Sequence, residues 1–557
     1  MKRAAALLLI AATLTGCATT PEVGVIAEAD DAEAGTLLIE KQSFHVRFDT
    51  LTYTGVGEYR WPDGRIYVGE FVAGQPHGIG IDTRPDGSMY EGDFDQGRRH
   101  GEGQLTLPDG SVYEGMFVNG ARSGTGSYTS ASGRYAGEWT DDAPNGYGRF
   151  DYADGSWYEG DWLMGRRNGS GRYQRDEESS YEGDWEHDLP HGFGVLTERN
   201  GFSYDGAFDG GERSGYGVID VGDGIGYAGT WVENRRQGFG RESRPDGSEY
   251  LGEWREDRRN GQGTDRHADG SYHQGWWEDN TPLGPGTRRS REGVEISGSW
   301  NGSFVSSGVV ELPSGDEYAG NLYQLSKRAI SSRFLSWLKA RAEDGNPHAM
   351  LLLAEAYLNY SKPVPDAAVA RRYYERAAHA GIAEAQFQLA EMLLEAGDDD
   401  VDQALQWLMR AAQQGHAGAN LVLGGFYQVG RHVAQSHPTA ATYYAAAAKA
   451  GDLVARNNLA WLLATSPDDA VRDGNRAVTL SRPIAVLYDH WTYLDTLAAA
   501  YAEVGEFDHA VRTARRAVAL AEGDAPSETL LQLEARLRTF EANEPFREIN
   551  VEVGLLQ

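Results

Sequence analysis

The pentapeptide YEGDW stands at Tyr158–Trp162 and again at Tyr181–Trp185, 23 residues later, and a near copy, YEGDF, stands at Tyr90–Phe94. Positions one, three and five of each copy hold a tyrosine, a glycine and a second aromatic ring. Alternate residues of a β-strand share one face of a sheet, and glycine leaves room for the two rings to pack against rings of neighbouring copies. The stretch therefore predicts a sheet of repeated hairpins with one aromatic face.

The unit recurs at steps of 22 to 24 residues over about half of the chain. Most units continue with Gly-x-Gly, such as Gly192-Phe193-Gly194, and place an Asp-Gly pair such as Asp86-Gly87 shortly before the next tyrosine. Asp-Gly supplies the positive φ that a tight hairpin turn needs. A lone hairpin cannot bury its apolar face, whereas a stack of hairpins can. The tyrosine position is filled by Tyr67, Tyr90, Tyr113, Tyr135, Tyr158, Tyr181, Tyr204, Tyr227, Tyr250, Tyr272, Ile296 and Tyr318.

The later units depart from this pattern. Tyr272–Trp276 places Gln274 where glycine is expected, and a further unit has Ser306-Ser307-Gly308 for Gly-x-Gly. Terminal repeats of an array are often atypical, so we interpret these departures from the motif as a sign that the array approaches its C-terminal end. Upstream, Leu37–Val46 alternates weakly between apolar and polar residues and is expected to begin the sheet.

The pattern from Tyr53 to Leu322 resembles the MORN repeat family. The resemblance implies an elongated, twisted antiparallel sheet of hairpins, with a protein or peptide partner in its groove. Some eukaryotic MORN proteins are linked to phosphoinositides, but residues 51–325 hold 25 Arg, no Lys and 47 Asp or Glu. A negative surface repels anionic headgroups, so binding of anionic lipid is not expected here.

The composition excludes several classes of function. The chain of 557 residues has 83 acidic and 51 basic side chains, a net charge of −32, which opposes binding to nucleic acid. The sequence holds no His-Glu-x-x-His, no P-loop and no Gly-x-Ser-x-Gly, so we expect no enzyme, no catalytic residue and no cofactor. His77, His100 and His191 each precede a Gly-x-Gly, where other units have asparagine or serine, which indicates a turn position rather than a metal ligand.

The N-terminus carries a separate signal. Lys2 and Arg3 precede an apolar run of 11 residues, Ala4–Leu14, and the sequence then reads Leu-Thr-Gly-Cys17, with the only cysteine of the chain. This resembles the lipobox of bacterial lipoproteins. The resemblance implies cleavage before Cys17 and lipidation of its sulfur, and Ala18 favours the outer membrane, with the chain facing the periplasm. The alternative is an ordinary secretory signal with a chance cysteine.

The last part of the chain has a different period. Gly345, Gly381, Gly415 and Gly451 are 36, 34 and 36 residues apart, each followed four residues on by alanine and eight residues on by leucine. This spacing predicts pairs of helices, with each glycine ending a helix in a left-handed cap. The acidic run from Asp398 to Asp402 lacks the spacing of a calcium loop and is expected to cap a helix beginning near Asp402.

Residues 341–463 resemble Sel-one-like repeats, a branch of the tetratricopeptide superfamily, and Leu494–Leu520 has tetratricopeptide spacing. The resemblance implies a curved α-solenoid whose concave face binds a partner protein. The fold class is therefore expected to be α+β in separate domains, a MORN-type hairpin sheet followed by an α-solenoid. The expected segments are a signal peptide (1–16), a lipidated tether (17–36), the hairpin array (37–325), Sel-one-like repeats (326–465), tetratricopeptide-like repeats (466–545) and a tail (546–557).

Two functions follow from these expectations. The first is a non-enzymatic, lipid-anchored scaffold that binds envelope proteins, with envelope or polysaccharide-export assembly as an analogy from similar outer-membrane lipoproteins. The second is a module for peptidoglycan or exopolysaccharide, in which the repeat Tyr and Trp rings face water and stack on sugars. We expect those rings to form the sheet's own core instead, because glycine between them favours packing. Their exposure decides between the two functions.

Overall fold

The computed structural model describes residues 35–39, 42–199, 201–324, 329–360, 364–397, 400–523 and 525–548. These residues fall into two compact units. The first runs to Thr197 and includes Phe208–Gly211, and the second comprises Glu198–Ala207 and the chain from Glu212 on. The boundaries of the six segments expected from the sequence stay predictions, and Cys17, Ala18 and residues 549–557 lie outside the described residues.

The described strands of the array form one antiparallel sheet of 26 strands, which confirms the hairpin fold. β1 lies between β2 and β3, and successive strands then pair within each unit. The first unit contains β1 (Gly35–Ile39), β2 (Gln42–Val46), β3 (Gly55–Arg60), β4 (Ile66–Val72), β5 (Gln75–Thr83), β6 (Met89–Asp95), β7 (Arg98–Thr106), β8 (Val112–Val118), β9 (Ala121–Ser130), β10 (Gly133–Thr140), β11 (Ala143–Tyr152), β12 (Trp157–Leu163), β13 (Arg166–Gln174), β14 (Ser180–Glu186) and β15 (Leu189–Thr197).

One strand, β16 (Ser203–Asp209), has residues in both units. The second unit contains β17 (Glu212–Asp220), β18 (Gly226–Val232), β19 (Arg235–Ser243), β20 (Glu249–Arg255), β21 (Arg258–Arg266), β22 (Tyr272–Glu278), β23 (Thr281–Arg289), β24 (Glu295–Asn301), β25 (Phe304–Glu311) and β26 (Glu317–Asn321). A separate two-stranded pair follows, β27 (Tyr323–Gln324) and β28 (Ala329–Ile330). The expected start of the sheet at Leu37–Val46 is confirmed, because β1 and β2 pair there.

Two kinds of turn close the hairpins. At one end, two residues such as Met164 and Gly165 have φ of +49° and +81°, the combination that matches the right-handed twist of paired strands. At the other end lie the Asp-Gly pairs, where Gly87 has φ +89° and Asp86 Oδ1 accepts hydrogen bonds from the Ser88 N–H (2.8 Å) and hydroxyl (2.7 Å). Those bonds lower the pKa of Asp86. The prediction that Asp-Gly supplies positive φ is confirmed.

The aromatic positions form a continuous ladder within each unit. The ring of Tyr158 meets Trp162 and Trp185 edge to face, each with a centroid distance of 5.2 Å. Its hydroxyl donates to the backbone oxygen of Asp161 at 3.0 Å. From Tyr67 to Trp254, the ladder tyrosines and their Phe or Trp neighbours are at most 8% exposed. The expectation that these rings form the sheet's own core is confirmed. They do not face water, as stacking on sugars would require.

One register prediction is wrong. His273, not Tyr272, occupies the ladder, with Trp277 and Trp300 each at a ring-centroid distance of 5.2 Å. The unit therefore reads His273–Trp277 with Gly275 in the usual glycine place, paired to Gly286. Aromatic residues one position earlier, Tyr272 and Trp276, imitate the motif in the sequence.

The second unit continues with six pairs of α-helices among the described residues. They are α1 (Ser332–Glu343) and α2 (Pro347–Asn359), α3 (Ala367–His379) and α4 (Ala383–Ala396), α5 (Val401–Gln413) and α6 (Ala417–Val429), α7 (His437–Lys449) and α8 (Leu453–Thr465), α9 (Gly474–Tyr488) and α10 (Trp491–Glu503), and α11 (Phe507–Ala521) and α12 (Ser527–Glu541). The sequence prediction of paired helices is confirmed.

The repeated small residues act as expected. Gly345, Gly381, Gly415 and Gly451 follow their helices with φ between +75° and +100°. The alanines and leucines that follow at fixed spacing are buried in the helical core. The acidic run behaves differently from the prediction, because Asp400 precedes α5 without any side-chain hydrogen bond to its N-terminus. Asp398 and Asp399 lie outside the described residues.

Asp-Gly-type turns of the second unit's strands pack against its helices. Arg341 at the end of α1 donates to Asp316, in the turn before β26, at 3.1 Å. Arg291, in the turn before β24, donates to the backbone oxygen of Gln414 at 2.9 Å. These bonds join residues 25 and 123 positions apart in the chain. The strands and helices of this unit therefore form one packed body.

Arg456 in α8 makes the most extensive of these contacts. Its guanidinium donates to Asp223 at 2.9 Å, to the backbone oxygen of Pro245 at 3.2 Å and to that of Leu480 at 3.1 Å. The side chain is only 12% exposed. One planar group thus connects two successive turns of the sheet with two helices.

Candidate functional site

The sheet has two chemically different faces. One carries the buried ring ladder, and the other, which we call the open face, carries the residues that alternate with it. The middle residue of each Gly-x-Gly lies on the open face. Its side chain is 71% exposed in Phe193, 63% in Tyr216, 61% in Phe239 and 55% in Tyr147. Aromatic rings therefore stand in water on the face opposite the ladder.

A bulge at the first glycine presents this middle residue. Gly192 has φ +61°, and the pairing register shifts at this point of the hairpin. Asp184 on the neighbouring strand accepts a hydrogen bond from the backbone N–H of Phe193 at 3.2 Å. Gly183 and Asp184 pair with Gly194 and His191, so the bulged strand takes two extra residues, Gly192 and Phe193, between these pairs. The bulge and the Asp184 hydrogen bond thus fix the backbone beneath the exposed ring of Phe193.

The second glycine of Gly-x-Gly has a different cause. Gly171 lies beneath the ring of Tyr158, and a Cβ there would overlap the tyrosine hydroxyl and its ring carbon. Other units repeat this arrangement, for example Gly194 beneath Tyr181. The motif therefore serves both faces, one glycine for the bulge and the other for the ladder.

The open face of the first unit is acidic. Two central rows of side chains run across this face from β3 to β15. On Gly-x-Gly strands they hold the residue between the glycines and the residue two positions later, and on the other strands they hold the second and fourth residues of Tyr-x-Gly-x-aromatic. Among the described residues of these rows, Arg149 and Arg172 are the only cations. Exposed apolar side chains stand among the acids, including Ile79, Met116 and Val195. The carboxylates of these rows are Glu58, Glu70, Glu91, Asp93, Glu102, Glu114, Glu138, Glu159, Asp161, Glu182 and Asp184. This surface suits a partner with apolar and cationic groups.

From β17 onward, the two central rows of the second unit's open face carry few charges. Tyr216 pairs with Thr230, and Gln262 pairs with Trp276, which is 47% exposed. Phe239 lies between them on β19. We call these five residues, together with Gln274, the aromatic strip.

Two charged side chains occupy the described central rows of β17–β25, and both have partners. Arg241 pairs with Glu249 at 2.7 Å, and Glu253 accepts the backbone N–H of Gln262 at 3.1 Å. The aromatic strip therefore offers rings, hydroxyls and amides, with the carboxylate of Glu253 opposite Phe239 as its charged neighbour.

The ladder face holds a set of arginines that sequence reasoning missed. Arg167 lies over the ring of Trp185, with its guanidinium carbon 4.3 Å from the centroid, and donates to the backbone oxygen of Asp188 at 2.8 Å. Arg236 repeats this over Trp254 at 4.1 Å. The signal was available, because an arginine follows most of the two-residue turns at the repeat interval. These guanidiniums cover the ladder rings.

The residues singled out in the sequence are placed as follows. His77 and His191 stand at the hairpins beside Asp95 (3.4 Å) and Asp209 (3.5 Å). Among the described residues, no group of three or more His, Cys, Asp or Glu side chains is arranged to hold a metal ion. In the same part of the chain, every helix is too short or too polar to cross a membrane. Cys17 lies outside the described residues.

A profile of the MORN repeat matches ten segments of the chain. Residues 53–272 are a MORN-repeat array. The matched segments are 53–64, 67–89, 90–112, 113–133, 135–157, 158–176, 181–201, 204–224, 227–249 and 250–272. The array stops matching where His273 replaces the ladder tyrosine.

Three curated relatives are similar to parts of the chain. An "Exopolysaccharide production negative regulator" of Rhizobium meliloti (strain 1021) is 39% identical over 134 residues, which is 22% of this chain and 48% of the relative. A protein with the same description from Rhizobium leguminosarum bv. viciae is 41% identical over 83 residues, 14% of this chain and 31% of the relative. "Uncharacterized protein NMB1327" of Neisseria meningitidis is 28% identical over 150 residues, 20% and 31%. The chain thus spans less than half the length of the curated relatives it matches.

Two solved structures are similar to part of the chain. A Sel1 repeat protein from Oxalobacter formigenes has a TM-score of 0.28 and 23% identity, covering 34% of this chain and 82% of that one. The antigen c5321 of uropathogenic Escherichia coli, described as having an SLR fold, has a TM-score of 0.26 and 18% identity, covering 40% and 60%. The assignment of paired helices in this chain is based on its own structure and not on these two similarities.

Proposed function

We propose that this chain is a non-enzymatic scaffold that binds protein partners, and that the open face of the first unit is its docking surface. The observation that carries the proposal is the row of exposed apolar side chains, Tyr147 and Phe193 among them, set between carboxylates on rigid strands. Exposed rings held at regular intervals on paired strands offer apolar contacts to a partner, with carboxylates between them. The helix pairs of the second unit offer a further surface for such a scaffold.

The chemistry of the docking surface specifies the kind of partner. Apolar rings need apolar groups to cover them, and the carboxylates favour lysine or arginine on the partner. The same acidity disfavours nucleic acid and anionic lipid headgroups. The partner is therefore a protein that presents both apolar and basic side chains on the surface that meets this face.

A location in the bacterial envelope is part of the proposal. The lipobox-like sequence ending at Cys17 supports a lipid anchor, and Ala18 supports the periplasmic side of the outer membrane. The names of the Rhizobium relatives, which refer to negative regulation of exopolysaccharide production, support a role in envelope or polysaccharide-export assembly. Radioactive palmitate should label the wild-type chain and leave Cys17→Ser unlabelled. Equal labelling of both would contradict the anchor.

The docking surface is tested by capture with a matched control. Full-length chain carrying Cys17→Ser is used as bait on detergent-solubilised envelope, and bound proteins are identified by mass spectrometry. Tyr147→Asp with Phe193→Asp should abolish retention of the specific partner. Met164→Asp removes an exposed apolar side chain from a turn instead of the face, and should retain it. A partner retained equally by both variants would contradict the assignment of the first unit's open face.

A further inference from the structure

We propose that the aromatic strip of the second unit binds a neutral polysaccharide, whose sugar rings stack on Tyr216, Phe239 and Trp276. This is a separate site from the acidic docking surface and does not depend on the scaffold proposal. It also uses different residues from the ladder rings, which are buried.

Exposure of the three rings is structural and not accidental. Each stands on a strand hydrogen-bonded on both sides, with Tyr216 on β17, Phe239 on β19 and Trp276 on β22. About half or more of each side chain faces water. The backbone beneath them is already ordered, so binding a ligand costs little further backbone entropy.

The alignment of the rings favours an extended ligand. Neighbouring strands lie roughly 4.8 Å apart, so Tyr216 and Phe239 are separated by roughly 10 Å and Phe239 and Trp276 by roughly 14 Å along the sheet. The three rings therefore form a row across the strands. A polymer of flat rings laid along this row meets one aromatic platform every few units.

The polar groups between the rings suit hydroxyl-rich chains. Thr230 lies directly opposite Tyr216, and Gln262 directly opposite Trp276. Gln274, on the same strand as Trp276, adds a second amide. A sugar ring has apolar C–H groups on its face and hydroxyls around its rim. Amides and hydroxyls both donate and accept hydrogen bonds, so they match that rim in either orientation.

Charge distinguishes this ligand from the alternatives. The molecule has a net charge of −32, yet none of the six residues of the strip is charged; beside them, Arg241 is paired with Glu249, and Glu253, opposite Phe239, accepts a backbone N–H. A nucleic acid would lack cations to pair with its phosphates. A strongly charged peptide would leave its charges desolvated and unpaired. A neutral glycan makes neither demand.

The test is native affinity electrophoresis of the full-length chain carrying Cys17→Ser. Gels contain either a soluble mixed-linkage β-glucan, which is neutral, or alginate, which is a polyuronate. We expect the β-glucan to retard the chain, and Tyr216→Ala, Phe239→Ala and Trp276→Ala combined to weaken that retardation at least tenfold. Because all three side chains are exposed, the combined variant should keep the thermal midpoint of the parent.

A matched control uses the first unit. Tyr147→Ala with Phe193→Ala removes two rings of similar exposure from the acidic face, and should leave β-glucan retardation unchanged. Loss of retardation in the control and in the strip variant alike would overturn the assignment. So would an unaffected strip variant, retardation by alginate only, or no retardation of the parent by either polymer.

Discussion

The two glycines of each Gly-x-Gly look alike in the sequence and have unlike physical causes. The first adopts positive φ at a bulge, as at Gly169, and the second makes way for a tyrosine ring, as at Gly171. Substitution at the second position therefore acts by overlap with the ladder and not by backbone strain. This distinction yields a prediction with a control at the very next residue.

Gly171→Ala should destabilise the first unit by about 1–3 kcal/mol, because overpacking forces the Tyr158 ring out of its place in the ladder. The measurement is urea unfolding followed by tryptophan fluorescence. Ser170→Ala changes the exposed middle residue of the same motif and should stay within about 0.5 kcal/mol of the parent. Equal effects of the two substitutions would refute the explanation by ring overlap.

His273 is the ladder position with an altered response to acid. Burial and the nearby charge of Arg288 lower its pKa to about 4, and neither ring nitrogen has a hydrogen-bond partner. The folded chain thus keeps this imidazole neutral at pH values where the unfolded chain protonates it. The stability contributed by the neutral ring is complete above its ordinary pKa of 6.5 and is lost as the pH falls towards about 4.

His273→Tyr restores the ladder residue and should raise the stability of the second unit, most of all at acidic pH. The wild-type loss from this group amounts to at most about 1.4 kcal/mol per pH unit. The measurement is the thermal midpoint between pH 7.5 and 4.5 for both chains. His267→Tyr, in the exposed turn before β22, should keep the wild-type pH dependence. An unchanged pH slope in His273→Tyr would count against the buried neutral histidine.

Sequence reasoning at this scale identified most ladder tyrosines because their spacing and chemistry coincide. It failed at His273, because Tyr272 and Trp276 imitate the motif one residue early and side-chain direction is invisible in a single sequence. The covering arginines were missed because charge was summed over the array instead of being followed position by position. The exposed middle residues were visible as a slot, but their exposure depends on the bulge.

At the scale of the strand and its turn, the arginines that lie over the ladder rings join successive hairpins. Arg236 lies 4.1 Å over Trp254 and also bonds to Asp257, through Nε at 3.1 Å to the carboxylate and through Nη2 at 3.0 Å to the backbone oxygen. A planar guanidinium stacks and donates in several directions at once. An ammonium group keeps the charge and loses this geometry.

Arg236→Lys should lower the stability of the second unit by about 1–2 kcal/mol, because one stacked cation and several charge-assisted hydrogen bonds are weakened together. The control is the neighbouring residue. Arg235 is 61% exposed and 3.9 Å from Glu256, so Arg235→Lys should change stability by less than about 0.5 kcal/mol. Guanidinium unfolding of both variants gives the comparison, and a lysine at 236 as stable as arginine would refute the role of stacking.

Elements as such were accessible from the sequence. Period-two alternation and Asp-Gly turns gave the strands, and the alanine–leucine spacing after glycine gave the helix pairs, because these signals are local. The cap expected from the acidic run before α5 is not made by Asp400, whereas Asp398 and Asp399 lie outside the described residues. Whether a polar side chain reaches a helix end depends on loop geometry that composition does not specify.

At the scale of the whole molecule, the fused body of the second unit is the feature that the sequence hid. Arg456 and Asp223 are 233 residues apart, and nothing in either repeat pattern indicates that they meet. The predictions of Cys17 lipidation and of an envelope location also belong to this scale. Their residues lie outside the described part of the chain, so they stay predictions.

Arg456→Gln should loosen the contact between the turns of the sheet and α8 without unfolding either repeat. Hydrogen bonds to charged groups contribute roughly 1.5–3 kcal/mol, so local opening should become at least tenfold more frequent. Hydrogen–deuterium exchange should rise in residues 221–225 and 244–248. Arg515→Gln, which breaks an exposed pair with Glu541, should leave those segments unchanged. Unaltered exchange in Arg456→Gln would contradict the coupling.

The docking of turns onto helices also limits how this chain can evolve. Tandem arrays commonly gain and lose units by unequal recombination, since an inserted hairpin needs only its neighbours. In the second unit, the turns at Asp223, Arg291 and Asp316 each meet a particular helix. Because the helices follow the C-terminal end of the sheet, deleting one hairpin there would move every earlier turn of the unit away from its helical partner. The number of hairpins in this segment is therefore constrained by the positions of the helices that its turns contact.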